Sequence, residues 1–195
     1  NGCRVDLVDC LDSGGVERRY TPYGSGKFHR QPIDKPPQLA WVPRTYARYG
    51  VTPEKFLRRL DALPRPDAVL VTSMMTYWYP GVFEAIRLIR QRLEGVPVIL
   101  GGVYATLCHG HARLFSGADM VVAGESEVRV LGIMQSLWGG MPDFIPDDRN
   151  LDSFPYPSYD LMENLPSVCI QTSRGCPYRC TYCASSYLSP ARRLR

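Results

Sequence analysis

Apolar and polar positions alternate over Arg4–Val8, which predicts a short strand ending at Asp9. A clearer rhythm begins at residue 51. Thr52 followed by Pro53 reads as a helix start, Phe56, Leu60 and Leu63 recur at helical spacing, and Pro64 ends the run. Ala68–Thr72 is a continuous apolar strand of the buried parallel type. Val82, Phe83, Ile86, Ile89 and Leu93 then form an apolar stripe with Arg87, Arg90, Gln91 and Glu94 opposite, stopped by Gly95 and Pro97. Val96–Leu100 is a second buried strand that runs into Gly101-Gly102. A short helix over His109–Phe115 and a third strand over Met120–Ala123, turning at Gly124, come next. Val130, Leu131, Met134, Leu137 and Trp138 mark one more helix, closed by Gly139-Gly140. Strand and helix alternate, so the pattern predicts an α/β fold with an open, mostly parallel sheet.

In such sheets ligands sit beyond the carboxyl ends of the strands. Here those ends are Thr72–Pro80, Gly101–Thr106 and Gly124–Ser126. Adjacent glycines leaving a strand let the backbone approach a ligand with no Cβ between. Tyr77, Trp78 and Tyr104 are candidates to stack on a flat ring system, and Thr72, Ser73 and Thr106 to hydrogen-bond its polar rim. The alternative is that the glycines only make tight turns and the aromatics only cap the sheet.

Two stretches break the rhythm. Ser13–Gly50 has five prolines and seven basic residues against Glu17 and Asp34, and it is too long for an ordinary connection; it reads equally as a functional lid or an elaborated surface loop. Met141–Leu165, rich in proline and carrying Asp143, Asp147, Asp148 and Asp152, reads as an interdomain linker. Val168–Ser173 then looks like a new strand that delivers Arg174-Gly175-Cys176 into a loop. Three parts follow: an α/β domain over 1–140, a linker over 141–165, and the opening of a second domain over 166–195.

Composition narrows the class. The 195 residues allow one domain and a piece of another, and hydrophobic (45%) and charged (22%) shares are those of a globular chain. The apolar runs fall far short of the ~20 residues a spanning helix needs, and no signal-peptide pattern is present, so we expect a cytoplasmic protein or a fragment of one, with no membrane partner. Net charge is +4, but residues 1–164 sum to −1 while 165–195 carry Arg174, Arg179, Arg192, Arg193 and Arg195 and no acid. These arginines lack the aromatic interleaving of a nucleic-acid groove, which favours a charged surface or local anion site.

The seven cysteines are an odd count, which argues against a disulfide framework. Cys3, Cys10, Cys108 and Cys169 are scattered. Cys176, Cys180 and Cys183 fall in one loop, Cys176-Pro177-Tyr178-Arg179-Cys180-Thr181-Tyr182-Cys183, whose spacing lets three sulfurs aim at a common centre. Cys169, one strand-length upstream, is expected to point into the sheet. Three thiolates with one position open suit an iron–sulfur cluster with a non-cysteine ligand at its fourth iron. A zinc knuckle with its fourth ligand elsewhere is the other reading.

The run Thr172-Ser173-Arg174-Gly175-Cys176-Pro177-Tyr178-Arg179-Cys180-Thr181-Tyr182-Cys183 resembles the signature loop of radical S-adenosylmethionine enzymes. The resemblance implies a 4Fe–4S cluster on Cys176, Cys180 and Cys183, S-adenosylmethionine on its fourth iron, and Tyr182 near the adenine. The preceding region, residues 1–140, resembles the cobalamin-binding domain often fused ahead of such cores. That likeness rests on Thr72-Ser73, on Gly101-Gly102-Val103-Tyr104-Ala105-Thr106 and on Gly124-Glu125-Ser126-Glu127. It implies a Rossmann-like (flavodoxin-like) sheet followed by the start of a partial (β/α) barrel. It also implies cofactor contacts at Thr72, Ser73, Gly101, Gly102, Tyr104, Thr106, Gly124 and Glu125. The Asp-x-His-x-x-Gly element of other cobalamin proteins is absent, so the resemblance assigns no lower axial ligand, and His109 and His111 read as satisfied surface histidines.

By the same resemblance Arg4–Val8 is the second strand of its sheet, the first strand lies outside the chain, and so does the rest of the barrel. We expect such an internal fragment to fold poorly and be inactive alone. The expected activity is reductive cleavage of S-adenosylmethionine to methionine and a 5′-deoxyadenosyl radical, with methyl transfer from methylcobalamin to an unknown substrate. An electron donor such as flavodoxin or ferredoxin is the implied partner. Two alternatives stay open: a radical enzyme without methyl transfer whose first domain docks a partner, and a non-enzymatic corrinoid- or zinc-binding module.

Overall fold

The computed structural model describes residues 2–11, 28–140, 142–162 and 168–195. In chain order they form strands and helices β1 (Arg30–Pro32), β2 (Ala47–Tyr49), α1 (Pro53–Asp61), β3 (Val69–Ser73), α2 (Tyr79–Arg92), β4 (Val98–Gly101) and α3 (Gly102–Leu107). There follow α4 (His109–Phe115), β5 (Met120–Val121), α5 (Glu127–Trp138), β6 (Ser173–Arg174), α6 (Ser185–Leu188) and β7 (Arg193–Leu194). They divide into two units, one of Asn1–Arg4, Arg65–Pro157 and Cys169–Arg195, the other of Val5–Pro64 and Ser158–Val168.

The first unit is built on a parallel sheet in the order β3-β4-β5. Val69 lies opposite Val98 and Thr72 opposite Gly101, while Ile99 lies opposite Met120. Parallel neighbours need a crossover, and the apolar stripe of α2 supplies the first one. Val82, Ile86 and Ile89 of that stripe are buried, together with Leu93 just beyond the helix. Among the described strands the central one is the driest, with Val98 and Leu100 at 0% exposure, as a strand covered on both faces requires.

One polar device holds this core. Oδ2 of Asp119 accepts from the Val98 N–H at 2.7 Å and pairs with Nη2 of Arg90 on α2 at 2.6 Å. Burial alone would raise this carboxyl's pKa, but the bond from Arg90, the Val98 N–H and the Arg90 charge together hold it below the usual carboxylate range. A depressed folded-state pKa contributes stability above the unfolded value near ~3.9 that is lost as pH falls through the folded one. We therefore expect Asp119→Asn to lower the melting temperature at neutral pH and to narrow its difference from the parent below about pH 4. Equal differences at pH 7 and pH 3 would refute this, as measured by thermal melts.

The second unit contains the antiparallel pair β1–β2, with Arg30 opposite Tyr49, and helix α1. The Thr52 hydroxyl accepts from the Lys55 N–H at 3.4 Å, and Pro53 opens the helix, as its sequence predicts. Gly50, at φ +92, passes so close to the Cys10 carbonyl that any Cβ would overlap it. The irregular stretch expected over Ser13–Gly50 is thus partly regular from residue 28 onward, while 13–27 lie outside the described residues.

Other expectations are corrected. Arg4–Val8 is not a strand, and Val5 and Leu7 are exposed. Alternation alone does not make a strand; its N–H and C=O groups need a neighbour to pair with. Among the described residues no strand lies on the outer edge of β3, where Leu70 is exposed. The strand expected over Val168–Ser173 shrinks to β6, and Cys169 is exposed rather than turned into a sheet. That last segment pairs antiparallel with β7, not in a parallel β/α unit. Gly101–Thr106, read as the ligand-facing end of a strand, is helix from Gly102 onward. Among the described residues no helix is long and apolar enough to cross a membrane.

Candidate functional site

The carboxyl ends of β3 and β4 open onto a small cleft of about 80 Å³. Leu70, Ile99, Val122 and Val130 give it apolar walls, and Thr72, Gly101, Gly102 and Ser126 complete its lining. The two glycines serve different purposes. Gly102, at φ +86, bridges Ser73 of β3, and a Cβ on it would stand 2.4 Å from Oγ1 of Thr72 and 2.8 Å from the Ser73 carbonyl oxygen. Only glycine fits there. Gly101 has ordinary extended backbone (φ −131), and a Cβ on it would meet nothing nearer than Oγ of Ser126 and the Val122 oxygen at 3.9 Å. Its missing side chain leaves the cleft open.

Not every residue predicted for this site lies free in it. Oγ of Ser73 donates to the Met75 carbonyl at 2.9 Å and is buried. The Thr106 hydroxyl donates to the Gly102 carbonyl at 2.8 Å and accepts the Gly124 N–H at 2.9 Å, bracing the ends of β4 and β5 against each other. Tyr104 is 1% exposed, so its ring belongs to the core. It lies among Tyr79, Phe83 and His111, and its hydroxyl shares a 2.7 Å hydrogen bond with Nδ1 of His111. His109 is likewise satisfied, by the Ala105 carbonyl at 3.2 Å. Tyr77 stands exposed beside Trp78, their rings edge to face.

The cysteine loop is closed at its base by β6 and β7, with Ser173 opposite Leu194 and Arg174 opposite Arg193. Gly175, at φ +77, is required here, because a Cβ on it would lie 2.6 Å from the Ala191 oxygen. Cys176 and Cys180 are exposed free thiols and Cys183 is half-buried. The Cys183 N–H donates to the Cys180 carbonyl at 3.1 Å, and its sulfur lies 3.2 Å from Oγ of Ser185, a hydrogen bond that lowers the thiol pKa. Tyr182 is 90% exposed beside it. Among the described residues, however, no three His, Cys, Asp or Glu side chains are gathered closely enough to hold a metal ion. The expected convergence of three sulfurs is therefore not present.

The basic character of the last segment has a local explanation. Arg174 pairs with Glu127 at 2.5 Å and with Glu125 at 3.5 Å, and its guanidinium lies 5.2 Å from the Phe154 ring centre. Arg193 pairs with Glu125 and donates to the Asp148 carbonyl, while Arg195 pairs with Asp152 at 3.2 Å. Ser189 donates to Glu125 at 2.7 Å. Burial alone would raise the Glu125 pKa, yet the bonds from Arg193 and Ser189 and the two arginine charges hold it low. Glu125 thus faces the cysteine segment, where a cofactor contact was expected. Sequence reasoning missed Ser189, and it named Ser126, Glu127 and Arg193 only as members of the strand-end turn and the basic segment, without a role of their own. The available signal was a Gly-Glu-Ser-Glu turn in a chain whose last segment carries five arginines and no acid.

Residues 44–133, which include β3, β4, β5 and the cleft, match the family model of the B12 binding domain. An uncharacterized methyltransferase of Pyrococcus horikoshii is 27% identical over 158 residues, which cover 68% of this chain and 33% of that protein. An uncharacterized methyltransferase of Synechocystis is 30% identical over 120 residues, covering 59% of this chain and 22% of that protein. The matched parts thus span no more than a third of the length of these curated relatives. No solved structure matches the chain. The stretch that builds the parallel sheet and its glycine-lined cleft is therefore the stretch that carries the likeness to B12 binding domains.

Proposed function

We propose that this chain binds cobalamin at the carboxyl edge of its parallel sheet and serves cobalamin-dependent methyl transfer, in an enzyme that also cleaves S-adenosylmethionine at a 4Fe–4S cluster. The observation that carries the cobalamin part is the coincidence of the B12 binding match with a cleft that a single Cβ at Gly101 would begin to fill. The apolar walls and the Thr72 and Ser126 hydroxyls suit a flat, largely apolar group with a hydrogen-bonding rim. The methyltransferase names of both relatives support the transfer chemistry. The cluster part is supported by the donor set, three free thiols within eight residues beside an exposed tyrosine.

When bound, methylcobalamin supplies a transferable methyl group, and a reduced cluster supplies the electron that cleaves the sulfonium of S-adenosylmethionine. The chain's own work is placement. Cys176, Cys180 and Cys183 lose their protons to become iron ligands, and Tyr182 stands next to them to meet the adenine. Thr72 and Ser126 orient the cobalamin rim, Gly102 lets β3 and β4 close behind it, and Gly101 keeps its space clear. Thr106 holds the turns at Gly102 and Gly124 in register.

Titrating the protein with hydroxocobalamin and following its visible absorption tests the reading. We expect saturable binding by the parent and at least about tenfold weaker binding by Gly101→Val, with an unchanged melt, because the added methyls occupy the cleft at a permitted backbone angle. No corrinoid binding by the parent would refute the proposal.

A further inference from the structure

The strands that close the cysteine loop place Arg174 and Arg193 directly opposite each other. Like charges in that register repel unless an anion lies between them. Arg174 has a partner of its own in Glu127 at 2.5 Å, and Glu125 is the anion shared by the two arginines. Its Oε2 faces Nη1 of Arg174 at 3.5 Å and pairs with Nη2 of Arg193, while its Oε1 accepts from Ser189 at 2.7 Å. One carboxylate therefore holds the strand entering the loop, the strand leaving it, and the segment after α6. The site is partly shielded: the Arg174 and Arg193 side chains are each 16% exposed and that of Glu125 24%. Removing the carboxylate would leave Arg193 without its acidic partner and Arg174 with Glu127 alone, in a site short of solvent.

The other end of this link is equally definite. Gly124, the residue before Glu125, is bonded through its N–H to Thr106, and Thr106 is bonded to Gly102. Ser126, the residue after it, lines the cleft. Four consecutive residues, Gly124–Glu127, thus hold the base of the cysteine loop and border the cofactor cleft at once.

We propose that Glu125 is a positioning residue for the thiolates of Cys176, Cys180 and Cys183. It keeps the base of their loop closed and fixes it to the carboxyl edge of the sheet. The proposal rests on the reading of those cysteines as metal ligands. It adds that their competence depends on a carboxylate some fifty residues earlier in the chain that never touches the metal.

The test uses the whole chain in three forms: parent, Glu125→Gln and Cys180→Ala. Hydrogen exchange of the metal-free proteins is followed by mass spectrometry. Glu125→Gln should speed exchange over residues 172–195 by about tenfold while 96–107 stays at the parent rate, since a charged pair rather than the sheet is lost. After anaerobic reconstitution with ferrous iron and sulfide, the same variant should retain at least about threefold less iron. Its reduced form should show an altered low-temperature EPR line shape. Parent-like exchange over 172–195, or parent-like iron content with an unchanged line shape, would overturn the positioning role. If Glu125→Gln also loosens 96–107, Arg193→Gln, which removes the pair with Glu125 and the bond to the Asp148 carbonyl without touching the parallel sheet, carries the same test. Cys180→Ala separates the two readings: it should lose iron with parent-like exchange. Full iron retention by Cys180→Ala would refute the ligand reading while leaving the exchange result for Glu125 intact.

Discussion

Gly102→Ala is expected to destabilise the parallel sheet by about 2–5 kcal/mol, the sum of left-handed backbone strain and overpacking. At φ +86 its new Cβ would lie 2.4 Å from Oγ1 of Thr72, and also 2.8 Å from the oxygen and 3.0 Å from the nitrogen of Ser73. The hydroxyl can rotate away, but the two backbone atoms cannot yield without opening the Ser73–Gly102 bridge. Its neighbour is the control. Gly101→Ala sits at φ −131 with 3.9 Å of clearance, so it should be neutral or stabilising by up to about 1 kcal/mol, because alanine narrows the unfolded ensemble. Urea unfolding of the two variants measures the contrast directly. Equal midpoints would mean that the glycines are interchangeable and that the close approach of β3 and β4 is not what constrains them.

The second large effect is on metal. Cys180→Ala is expected to lower the iron and sulfide retained after anaerobic reconstitution by at least about tenfold, as loss of a direct ligand should exceed the effect of losing an outer one. Cys108→Ala, at the junction of α3 and α4 and outside the loop, should change neither quantity. A Cys180→Ala protein that keeps its iron and sulfide would end the cluster reading. A parent protein holding about one zinc, with no iron or sulfide, would establish the zinc alternative instead.

The elements that were easiest to read are those whose periodicity is local. The stripe Val82, Phe83, Ile86, Ile89 and Leu93 marked α2, and Thr52-Pro53 marked the start of α1. The short helix over His109–Phe115 formed with the predicted bounds. Strands at the margins fared worse. Arg4–Val8 has the right alternation and Val168–Ser173 looks like a strand, but a strand exists only through its neighbours, and a local pattern says nothing about who they are. Tyr104 shows the same limit at a side chain. Its place after two glycines pointed to the ligand edge, yet helix α3 begins at Gly102 and turns the ring into the core against His111.

The sequence by itself determined the parallel α/β plan, the carboxyl-edge location of the cleft and the identity of the three clustered thiols. Each of these follows from spacing within a few dozen residues. Only the tertiary structure decided how the roles divide. It separated Gly102, needed for close strand approach, from Gly101, needed for space. It paired three of the last segment's five arginines, Arg174, Arg193 and Arg195, with Glu125, Glu127 and Asp152. Those pairs join residues more than forty positions apart, and electrostatic partners at such separation are set by how the chain folds back, which no local pattern encodes.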